Sequence, residues 1–379
     1  MKKEFHVLYI ITKLELGGAQ KVCLSLFKSF KNSTLVSGDK GSLVGEAKKC
    51  GDVKLSPYLV REIGVVGILR EFKAFFVLFR EIKKLREKHK NLIVHTHSSK
   101  AGIMGRWAAW LAGCRLIVHT VHGFSFNDFQ AFYVRWIFKS LEWLTSLITA
   151  KFVCVSNKDK ETGIRLFSRF SKKVVLIRAA VDDIKFSPAI LCSKRVSNKK
   201  LIIGSVGCFK PQKNLFDLLK AFELVALKAR GFRPELQILG DGILRPDLEK
   251  WIEDKGLSDI VKLPGWVSSV EKFMANWDIF AMSSLWEGLP CAVVEARLCS
   301  LPVVTYDIGG ISEVVKDGKN GFLVKPGDWQ TLSRRLKELV YDESLRMRLG
   351  SGFKDNLNEF FCEEMVEGHR ALYEEISFK

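Results

Sequence analysis

Residues 279–296 read IFAMSSLWEGLPCAVVEA and combine three local patterns in one short segment. The first four residues are apolar, and such a short run bounded by polar residues indicates a buried strand. Two serines then leave the strand, and Pro290 suits the first turn of a helix. The segment therefore predicts a strand, a loop that carries Glu287, and a helix that carries Glu295.

The two glutamates of this segment flank a mostly apolar run. Carboxylates accept hydrogen bonds from hydroxyl groups in pairs, which suits a sugar and a ribose. Two solvent-facing glutamates near the start of a helix would give the same pattern. Taken alone, the segment leaves both interpretations open.

Short β-rich runs alternate with helical patterns along the whole chain. Near-continuous Val, Ile and Leu in these runs indicate strands that are buried on both faces. Helices between such strands indicate repeated β-α-β units and parallel sheets, with ligands bound at the carboxyl ends of the strands. The predicted strands are residues 6–11, 91–96, 116–121, 152–155, 174–177, 201–206, 235–239, 260–263, 279–282, 302–306 and 322–324.

The alternation breaks at residues 187–200, SPAILCSKRVSNKK, a polar and basic stretch that predicts a linker. A chain of 379 residues is long enough for two domains with separate cores. We therefore predict an α/β protein with two doubly wound, Rossmann-like domains, residues 1–188 and 189–355, whose parallel sheets face each other across a cleft. Residues 356–379 are predicted to form a helix that packs back towards the first domain.

The nine cysteines include no C-x-x-C pair and no zinc-ligand spacing, which is typical of reduced thiols in a cytosolic protein. The apolar run that follows Lys3 is too short for a signal peptide. No uninterrupted apolar run approaches the roughly 20 residues of a transmembrane helix. The composition thus predicts a cytoplasmic protein that is soluble or peripheral on a membrane.

The net charge of +18 is unevenly distributed. Residues 1–190 contain 33 Lys and Arg against 15 Asp and Glu, whereas residues 191–379 contain 27 of each kind. A basic half beside a neutral half predicts contact with a polyanion or an anionic membrane, and salt should weaken that contact. Because no nucleic-acid module accompanies the charge, we expect no nucleic-acid partner.

Glycine turns follow further predicted strands in the second half. Residues 204–214, GSVGCFKPQKN, form a strand, a glycine turn and a loop with two lysines, which suits a diphosphate. Another glycine turn follows the strand at 235–239. The glycine pair at 309–310 precedes a predicted helix, where close backbone approach and free N–H groups favour anions. The residues of this predicted site are Gly207, Lys210, Lys213, Gly240, Gly309 and Gly310.

In this order the motifs resemble those of the retaining glycosyltransferases of family 4, which have the two-domain GT-B fold. The resemblance runs from Gly17 to about Asp328, which is most of the chain. Its most specific element is Glu287-Gly288-Leu289-Pro290 with Glu295, which matches the two-glutamate motif of the family. The glycine pair 309–310 and the turn at Asn320-Gly321 match the residues that usually follow.

The resemblance implies a role for each matching residue. Glu287 would contact the hydroxyl groups of the donor sugar, Glu295 the ribose, and Lys213 the diphosphate. The family commonly has Arg where this chain has Cys208, and Lys210 is the predicted substitute. The donor-binding set implied in this way is Glu295, Lys210, Gly207, Gly240, Gly288, Leu289, Gly309 and Gly310, beside the catalytic residues His122, Glu287 and Lys213.

Two histidine-rich segments end predicted strands in the first half, HTHSSKAG at 95–102 and HTVHGF at 119–124. His122 matches the active-site histidine of the family and would hydrogen-bond the donor sugar near the reacting carbon. Histidines at strand ends are often only polar loop residues, and this alternative stays open for His95, His97 and His119. The predicted acceptor or phosphate loop consists of Gly17, Gly18, His97 and Lys100.

The D-x-D metal motif of the other large glycosyltransferase fold is absent, because no two aspartates are separated by one residue. Lys210, Lys213 and the helix start at Gly309 would instead neutralise the leaving diphosphate. We therefore predict catalysis without a metal ion or another cofactor.

Two apolar segments bear on the acceptor. Residues 63–85 place Leu69, Phe72, Phe76 and Phe79 on one helical stripe, which predicts a helix packed on the core, with docking on a membrane surface as the alternative. The aromatic residues of 124–143 are expected mostly in the core, with some at the rim of an acceptor groove. Together with the basic charge, these segments favour a lipid-linked saccharide as acceptor.

We thus predict a hexosyltransferase that moves a sugar from a UDP-linked nucleotide sugar to a glycolipid or lipid-linked saccharide. It would serve bacterial envelope polysaccharide or lipopolysaccharide synthesis at the inner face of the cytoplasmic membrane. Two alternatives stay open: a nucleotide-sugar 2-epimerase on the same fold, and a nucleotide-sugar-binding protein impaired in catalysis by Cys208.

Overall fold

The computed structural model describes residues 4–60, 67–127, 129–167, 169–187, 200–227, 233–352, 355 and 357–378. The chain divides into two compact units. The amino-terminal unit comprises Met1–Ala180 and Cys362–Lys379, and the carboxyl-terminal unit comprises Val181–Phe361. Residues 188–199 of the predicted linker lie outside the described residues.

One parallel sheet forms the centre of the amino-terminal unit. Its strands are β1 His6–Ile10, β2 Ser33–Gly38, β3 Asp52–Ser56, β4 Leu92–His97, β5 Ile117–Val121, β6 Lys151–Cys154 and β7 Val174–Leu176. They lie in the order β3-β2-β1-β4-β5-β6-β7, and every described pair is parallel. The helices of the first 180 residues are α1 Gly18–Ser29, α2 Val44–Cys50, α3 Ile68–Lys88, α4 Ser99–Leu111, α5 Phe132–Ile148 and α6 Asn157–Leu166.

A second parallel sheet forms the centre of the carboxyl-terminal unit. Its strands are β8 Ile202–Val206, β9 Glu235–Leu239, β10 Val261–Gly265, β11 Ile279–Met282, β12 Val303–Tyr306 and β13 Gly321–Val324. Their order is β10-β9-β8-β11-β12-β13. The helices of this unit are α7 Leu215–Leu227, α8 Arg245–Asp254, α9 Val270–Met274, α10 Cys291–Leu298, α11 Ile311–Val314, α12 Trp329–Tyr341 and α13 Glu343–Ser351.

The two sheets confirm the predicted fold class of two doubly wound, Rossmann-like α/β domains. Two strands, β2 and β3, are absent from the sequence prediction. β2 is buried along its whole length although it contains Ser33, Thr34 and Ser37, so its composition resembles that of a loop. β3 is an edge strand with alternating exposure, and it lacks the continuous apolar run used to find the others.

The last helix, α14 Cys362–Ser377, belongs to the amino-terminal unit and contacts α1. Its buried residues include His369 and Tyr373, at 1% and 0% exposure. Gly368 faces Ile177, where an added Cβ would lie 3.3 Å from the side chain. The end of the chain therefore completes the core of the first unit.

Each sheet has a point where the strand order reverses. In the amino-terminal unit the reversal falls between β1 and β4, and in the carboxyl-terminal unit between β8 and β11. Loops that leave such neighbouring strands in opposite directions form a crevice at their carboxyl ends, where α/β proteins bind ligands. A ligand-binding site is therefore expected at the loops after these four strands.

The expected burial of the two aromatic segments is wrong. Three members of the predicted α3 stripe, Leu69, Phe72 and Phe76, are exposed, and Ala74 and Leu78 face the core instead. The first two turns of α5 expose most of their aromatic residues, and its buried residues are Glu142, Thr145 and Ser146. Apolar residues thus face outwards on both helices.

None of the helices within the described residues has the combination of length and apolar composition that crossing a bilayer requires.

Candidate active site

Hydrogen bonds join two loops at the reversal point of the carboxyl-terminal sheet. The hydroxyl of Ser283, just after β11, donates to the carbonyl oxygens of Lys213 and Asn214, at 3.1 and 2.9 Å. The backbone N–H of Leu285 donates to the carbonyl of Gln212 at 2.8 Å. The loop after β11 and the loop after β8 are therefore held as one rigid surface.

Lys213 and Glu287 meet on this surface. The Nζ of Lys213 lies 2.5 Å from Oε1 of Glu287, and the two side chains are 19% and 13% exposed. Gln212 supports the pair, because its Nε2 donates to the carbonyl of Trp286 at 2.8 Å and lies 3.4 Å from Oε2 of Glu287. As predicted, Glu287 lies on the loop before α10.

The lysine is fixed by a short 3₁₀ turn, Pro211–Lys213. Asn214 ends the turn in a left-handed conformation, with φ of 44°, and its Nδ2 donates to Asp217 at 2.6 Å. The hydroxyl of Tyr306 donates to the same carboxylate oxygen at 2.7 Å. This buried network sets the direction in which Lys213 leaves the loop.

Two glycines make room for this arrangement. A Cβ on Gly207 would lie 3.1 Å from Cε of Lys213, so the stem of the lysine lies across the glycine backbone. Gly240 has φ of +133°, and a Cβ there would lie 2.0 Å from the carbonyl oxygen of Gly207. A side chain at Gly240 would push apart the loops that follow β8 and β9.

The glycine pair before α11 packs against the glutamate loop. Gly309 has φ of +51°, and a Cβ would lie 2.1 Å from the carbonyl oxygen of Glu287. The N–H of Gly310 donates to the carbonyl of Gly288 at 2.7 Å. The prediction of a free N–H at Gly310 is therefore wrong, because this donor holds the Glu287 loop in place. Leu289, next to Gly288, is buried.

Glu295 lies within α10, as predicted, and is 5% exposed. The helix is anchored by Arg297, whose guanidinium donates to the carbonyl oxygens of Val314 and Gly352. The anchored helix therefore holds Glu295 at a defined position.

Cys208 and Lys210 belong to the loop after β8. Cys208 is partly exposed, and the carbonyl of Cys208 accepts from the N–H of Lys210 at 2.8 Å. Arg245 lies near this loop: it pairs with Asp241 at 3.0 Å and Glu249 at 2.6 Å, and its guanidinium lies 5.6 Å from the ring centre of Phe209. Arg245 is therefore held by carboxylate partners within its own unit.

A second set of loops meets at the reversal point of the amino-terminal sheet. The hydroxyl of Ser98, after β4, lies 2.7 Å from that of Thr12, after β1. Gly17 is the N-cap of α1 and Gly18 its first residue, with no side-chain cap. Ser98 adopts φ of 62°, an uncommon conformation for a residue with a side chain. The strained turn directs the chain from His97 into α4.

His97 and His122 form a pair at this edge of the sheet. Nδ1 of His97 lies 3.0 Å from Nε2 of His122. Nε2 of His97 is buried and has no hydrogen-bond partner in the described part of the chain. A buried, unpaired N–H is rarer in proteins than an unpaired acceptor, so the stable tautomer has Nδ1–H of His97 donating. His122 then carries its own proton on Nδ1.

Burial keeps this pair neutral. It lowers the pKa of His122 to about 3 and lowers that of His97 well below its usual value, because a charged ring would lose its hydration. His122 is therefore a neutral hydrogen-bond donor near pH 7. It is suited to orienting a hydroxyl or a carbonyl oxygen, and it is not a cation at this pH.

Further aromatic side chains pack behind the pair. The ring of His95 lies 4.4 Å from that of His97 and 5.5 Å from that of His369 in α14. Its two nitrogens contact the hydroxyls of Tyr373, at 2.5 Å, and Thr120, at 2.7 Å. His95 is thus a buried structural residue, and so is His119, whose Nδ1 lies 2.9 Å from the hydroxyl of Thr96.

Lys100 stands in the first turn of α4. Its Nζ lies 2.5 Å from Glu71 of α3, and the two side chains are 14% and 27% exposed. The positive charge that the sequence assigned to an anionic substrate group therefore has a carboxylate partner within the unit.

Sequence reasoning missed the residues that position the predicted ones. The loops are joined by Ser283, Gln212 and the Asn214–Asp217–Tyr306 network, and none of these residues forms a recognisable motif. His369 and Tyr373 lie more than 270 positions after His95, so local sequence carries no signal of their contact.

Comparison with known proteins identifies the family of this chain. Residues 17–184 match the model for Glycosyltransferase Family 4, and residues 190–355 match that for Glycosyl transferases group 1. The chain is 31% identical over 369 residues to the UDP-Gal:alpha-D-GlcNAc-diphosphoundecaprenol alpha-1,3-galactosyltransferase of Escherichia coli, with 94% of each protein covered. The chain belongs to the family 4 glycosyltransferases.

Two further proteins are similar to this family 4 glycosyltransferase. The capsular polysaccharide biosynthesis glycosyltransferase CapM of Staphylococcus aureus is 24% identical over 327 residues, covering 83% of this chain and 82% of CapM. The crystal structure of Anabaena Alr3699/HepE in complex with UDP and glucose has a TM-score of 0.81 at 19% identity, covering 97% of this chain and 99% of that one. This structural likeness confirms the fold.

Proposed function

We propose that this glycosyltransferase transfers a hexose from a UDP-linked donor to a lipid-linked saccharide, with retention of the anomeric configuration. The observation that carries the proposal is the Lys213–Glu287 pair, held at 2.5 Å on two loops that are joined by hydrogen bonds. It combines a cation for phosphate and a carboxylate for hydroxyl groups.

The short distance favours one continuous ligand. An ammonium group prefers phosphate oxygens, and a carboxylate prefers hydroxyl donors. Because the two groups touch, the phosphate and the hydroxyl that they bind must also be neighbours. A sugar joined to a diphosphate has this arrangement, whereas a free nucleotide lacks the hexose hydroxyls. In this scheme Lys213 and Lys210 stabilise the charge that develops on the leaving diphosphate.

We assign the remaining donor contacts to residues that shape the same loops. Glu295 would accept hydrogen bonds from the ribose hydroxyls. Gly207, Gly240 and Gly309 allow the close packing that places Lys213 and Glu287. His122 would take part in the transfer as a neutral donor through Nδ1–H, because its Nε2 is occupied by His97.

The choice of donor and acceptor rests on the relatives. The E. coli relative is named for UDP-Gal and for a diphosphoundecaprenol-linked GlcNAc, with an alpha-1,3 linkage. CapM is named for capsular polysaccharide biosynthesis. These names support a UDP-hexose donor and a lipid-linked acceptor in envelope polysaccharide synthesis, with UDP-galactose as the first donor to test. We place its action at the inner face of the cytoplasmic membrane as part of this proposal, because an undecaprenol-linked acceptor like that in the E. coli relative's name is a membrane lipid.

A UDP-release assay with a panel of UDP-sugars tests this proposal. UDP should form only when a lipid-diphosphate-linked saccharide is added, and the product should carry an α-linked sugar by NMR of its anomeric proton. Interconversion of UDP-GlcNAc without acceptor would indicate a 2-epimerase instead.

Since two lysines are proposed to replace a metal, turnover should persist in EDTA. Loss of turnover in EDTA, with rescue by magnesium or manganese, would contradict the metal-free scheme.

A further inference from the structure

Helix α5 is oriented with its polar side inwards. Its buried residues are Glu142, Thr145 and Ser146. Both carboxylate oxygens of Glu142 accept from Nη2 of the fully buried Arg106 of α4, at 2.8 and 3.0 Å. Thr145 accepts from the indole N–H of Trp107 at 3.0 Å. A helix at the surface of a domain in water normally buries its apolar face. Helix α5 buries its polar face instead.

The outward side of α5 is a continuous apolar stripe. Phe132 is 77% exposed and Trp136 is 67% exposed. The spacing of three, four and seven residues along the helix places the exposed side chains on one face. We call this surface the apolar face of α5; it includes Phe132, Tyr133, Trp136, Ile137, Leu144 and Leu147.

A second exposed stripe lies on α3. Leu69 is 76% exposed, and Phe72 and Phe76 are also exposed. Helix α4 packs between α3 and α5, and the crossovers from β3 to β4, β5 and β6 all run in the same direction. Right-handed crossovers then place the three helices on one face of the sheet. Both stripes begin where their helices leave the carboxyl ends of the strands, the edge that holds His97 and His122.

The acidic side chains nearest the two stripes have basic partners. Helix α5 contains Arg135 and Lys139, and its single acidic residue is Glu142, which is buried on Arg106. On α3 the acid nearest the exposed aromatics, Glu71, is paired with Lys100. These two carboxylates are thus paired within the protein, while the first half of the chain carries the whole net charge of +18.

We propose that the apolar face of α5, with the exposed stripe of α3, is a monotopic docking surface that inserts into the interface of an anionic bilayer. Trp and Tyr prefer the headgroup region, Phe and Leu the acyl boundary, and Lys and Arg the anionic headgroups. A protein partner would need complementary acidic groups, whereas a bilayer supplies both the apolar layer and the negative charge. The inference rests on the proposed function, because docking there would bring a lipid-linked saccharide to the edge that holds His122.

Vesicle flotation of the full-length protein tests the surface without turnover. The vesicles contain either phosphatidylethanolamine with phosphatidylglycerol or phosphatidylcholine alone, and no saccharide lipid. The wild-type protein should float with the anionic vesicles at low salt and much less with the neutral ones. The triple variant Phe132→Ser, Trp136→Gln, Ile137→Gln should lose at least about tenfold in partitioning. Arg135→Gln with Lys139→Gln should lose about fivefold for each cation.

The matched control removes equally exposed apolar side chains from the other unit. Ile243 and Met347 are 75% and 70% exposed, and Ile243→Gln with Met347→Gln should float like the wild type. Because the three altered residues of α5 are exposed, the triple variant should keep the wild-type melting temperature. Quenching of Trp fluorescence by brominated lipids should fall in Trp136→Phe, a variant that preserves the apolar surface.

Three outcomes would overturn the docking surface: a wild-type protein that stays with the aqueous phase, a triple variant that floats normally, or a triple variant whose only change is from oligomer to monomer. The last would identify an interface between copies of the chain. Vesicle binding with no sugar transfer would refute the proposed function alone, and sugar transfer to a soluble short-chain acceptor without vesicle binding would refute the docking surface alone.

Discussion

Lys213 and Glu287 carry opposite charges 2.5 Å apart, in a surface where both side chains are mostly covered. The sequence singled out both residues as candidates, because each lies in a short motif that follows a strand. Their contact was not, because it depends on the hydroxyl of Ser283 and on backbone donors such as that of Leu285. Hydrogen bonds of that kind leave no residue pattern in the sequence.

The unusual Cys208 leads to a prediction about Lys210. If Lys210 replaces the family arginine, Lys210→Ala should weaken UDP binding about tenfold, the value of one charge-assisted hydrogen bond. Adding Cys208→Arg should restore most of that loss, whereas Cys208→Arg alone should change little. Isothermal titration with UDP measures all three variants. A Lys210→Ala variant with wild-type affinity would show that the loop needs no second cation.

A second prediction concerns His97 as a positioning residue. His97→Leu should lower kcat about tenfold to a hundredfold with little change in KM, because His122 loses the donor that fixes its ring. His97→Asn keeps a side-chain N–H and should retain most activity. The ¹⁵N chemical shifts of His122 should report a protonated Nδ1 in the wild type. A protonated Nε2 would contradict the assigned tautomer.

At the scale of helices and strands, the sequence predicted β-α-β order well and exposure poorly. Continuous apolar runs revealed eleven strands, whereas β2 and β3 have polar or alternating residues and were missed. The aromatic residues of α5 were expected in the core and are exposed. Sequence periodicity could not distinguish the two cases, because a core helix and a helix that docks on a membrane share the same apolar periodicity. The inward position of polar residues such as Glu142 separates the two kinds of helix, and the position of Glu142 depends on Arg106 from another helix.

The ion pair between Arg106 of α4 and Glu142 of α5 should be sensitive to the loss of one partner. Glu142→Ala leaves the charge of Arg106 buried and unpaired, and it should lower the free energy of unfolding by about 3–5 kcal/mol. Replacing both residues, with Arg106→Met and Glu142→Leu, should recover most of the loss. Urea unfolding followed by circular dichroism measures the free energy of unfolding of each variant, and the exposed Glu161→Ala is the control. A loss below about 1 kcal/mol would mean that the pair is not a buried anchor.

Across the whole molecule, the amino-terminal unit concentrates both the net charge and the buried histidines. Burial lowers the pKa of His369 to about 4 and of His122 to about 3, and it lowers the pKa of His95, His97 and His119 well below 6.5. The histidine-rich segments were visible in the sequence. Their burial was not, because α14 reaches them from the far end of the chain.

These lowered pKa values predict acid lability of the amino-terminal unit. The unfolded chain takes up protons near pH 6.5 while the folded rings stay neutral to about pH 3 or 4, so the histidines destabilise the fold progressively as the pH falls through this window. Each contributes up to about 1.4 kcal/mol per pH unit, and carboxylates titrate mostly lower. Melting temperatures at pH 7.5, 6.5 and 5.5 should fall, and less steeply in His369→Phe. A flat profile would contradict the neutral cluster.

The most direct test of sugar transfer from a UDP-linked donor is the Glu287→Gln exchange in a transfer assay with radiolabelled UDP-hexose and a lipid-diphosphate-linked saccharide. The amide keeps the size of the side chain but loses the charge that pairs with Lys213 and accepts hydroxyl protons. Transfer should fall at least about a hundredfold, while the exposed Glu343→Gln control keeps wild-type turnover. Unchanged transfer by Glu287→Gln would contradict the assignment of the Lys213–Glu287 pair as the donor site.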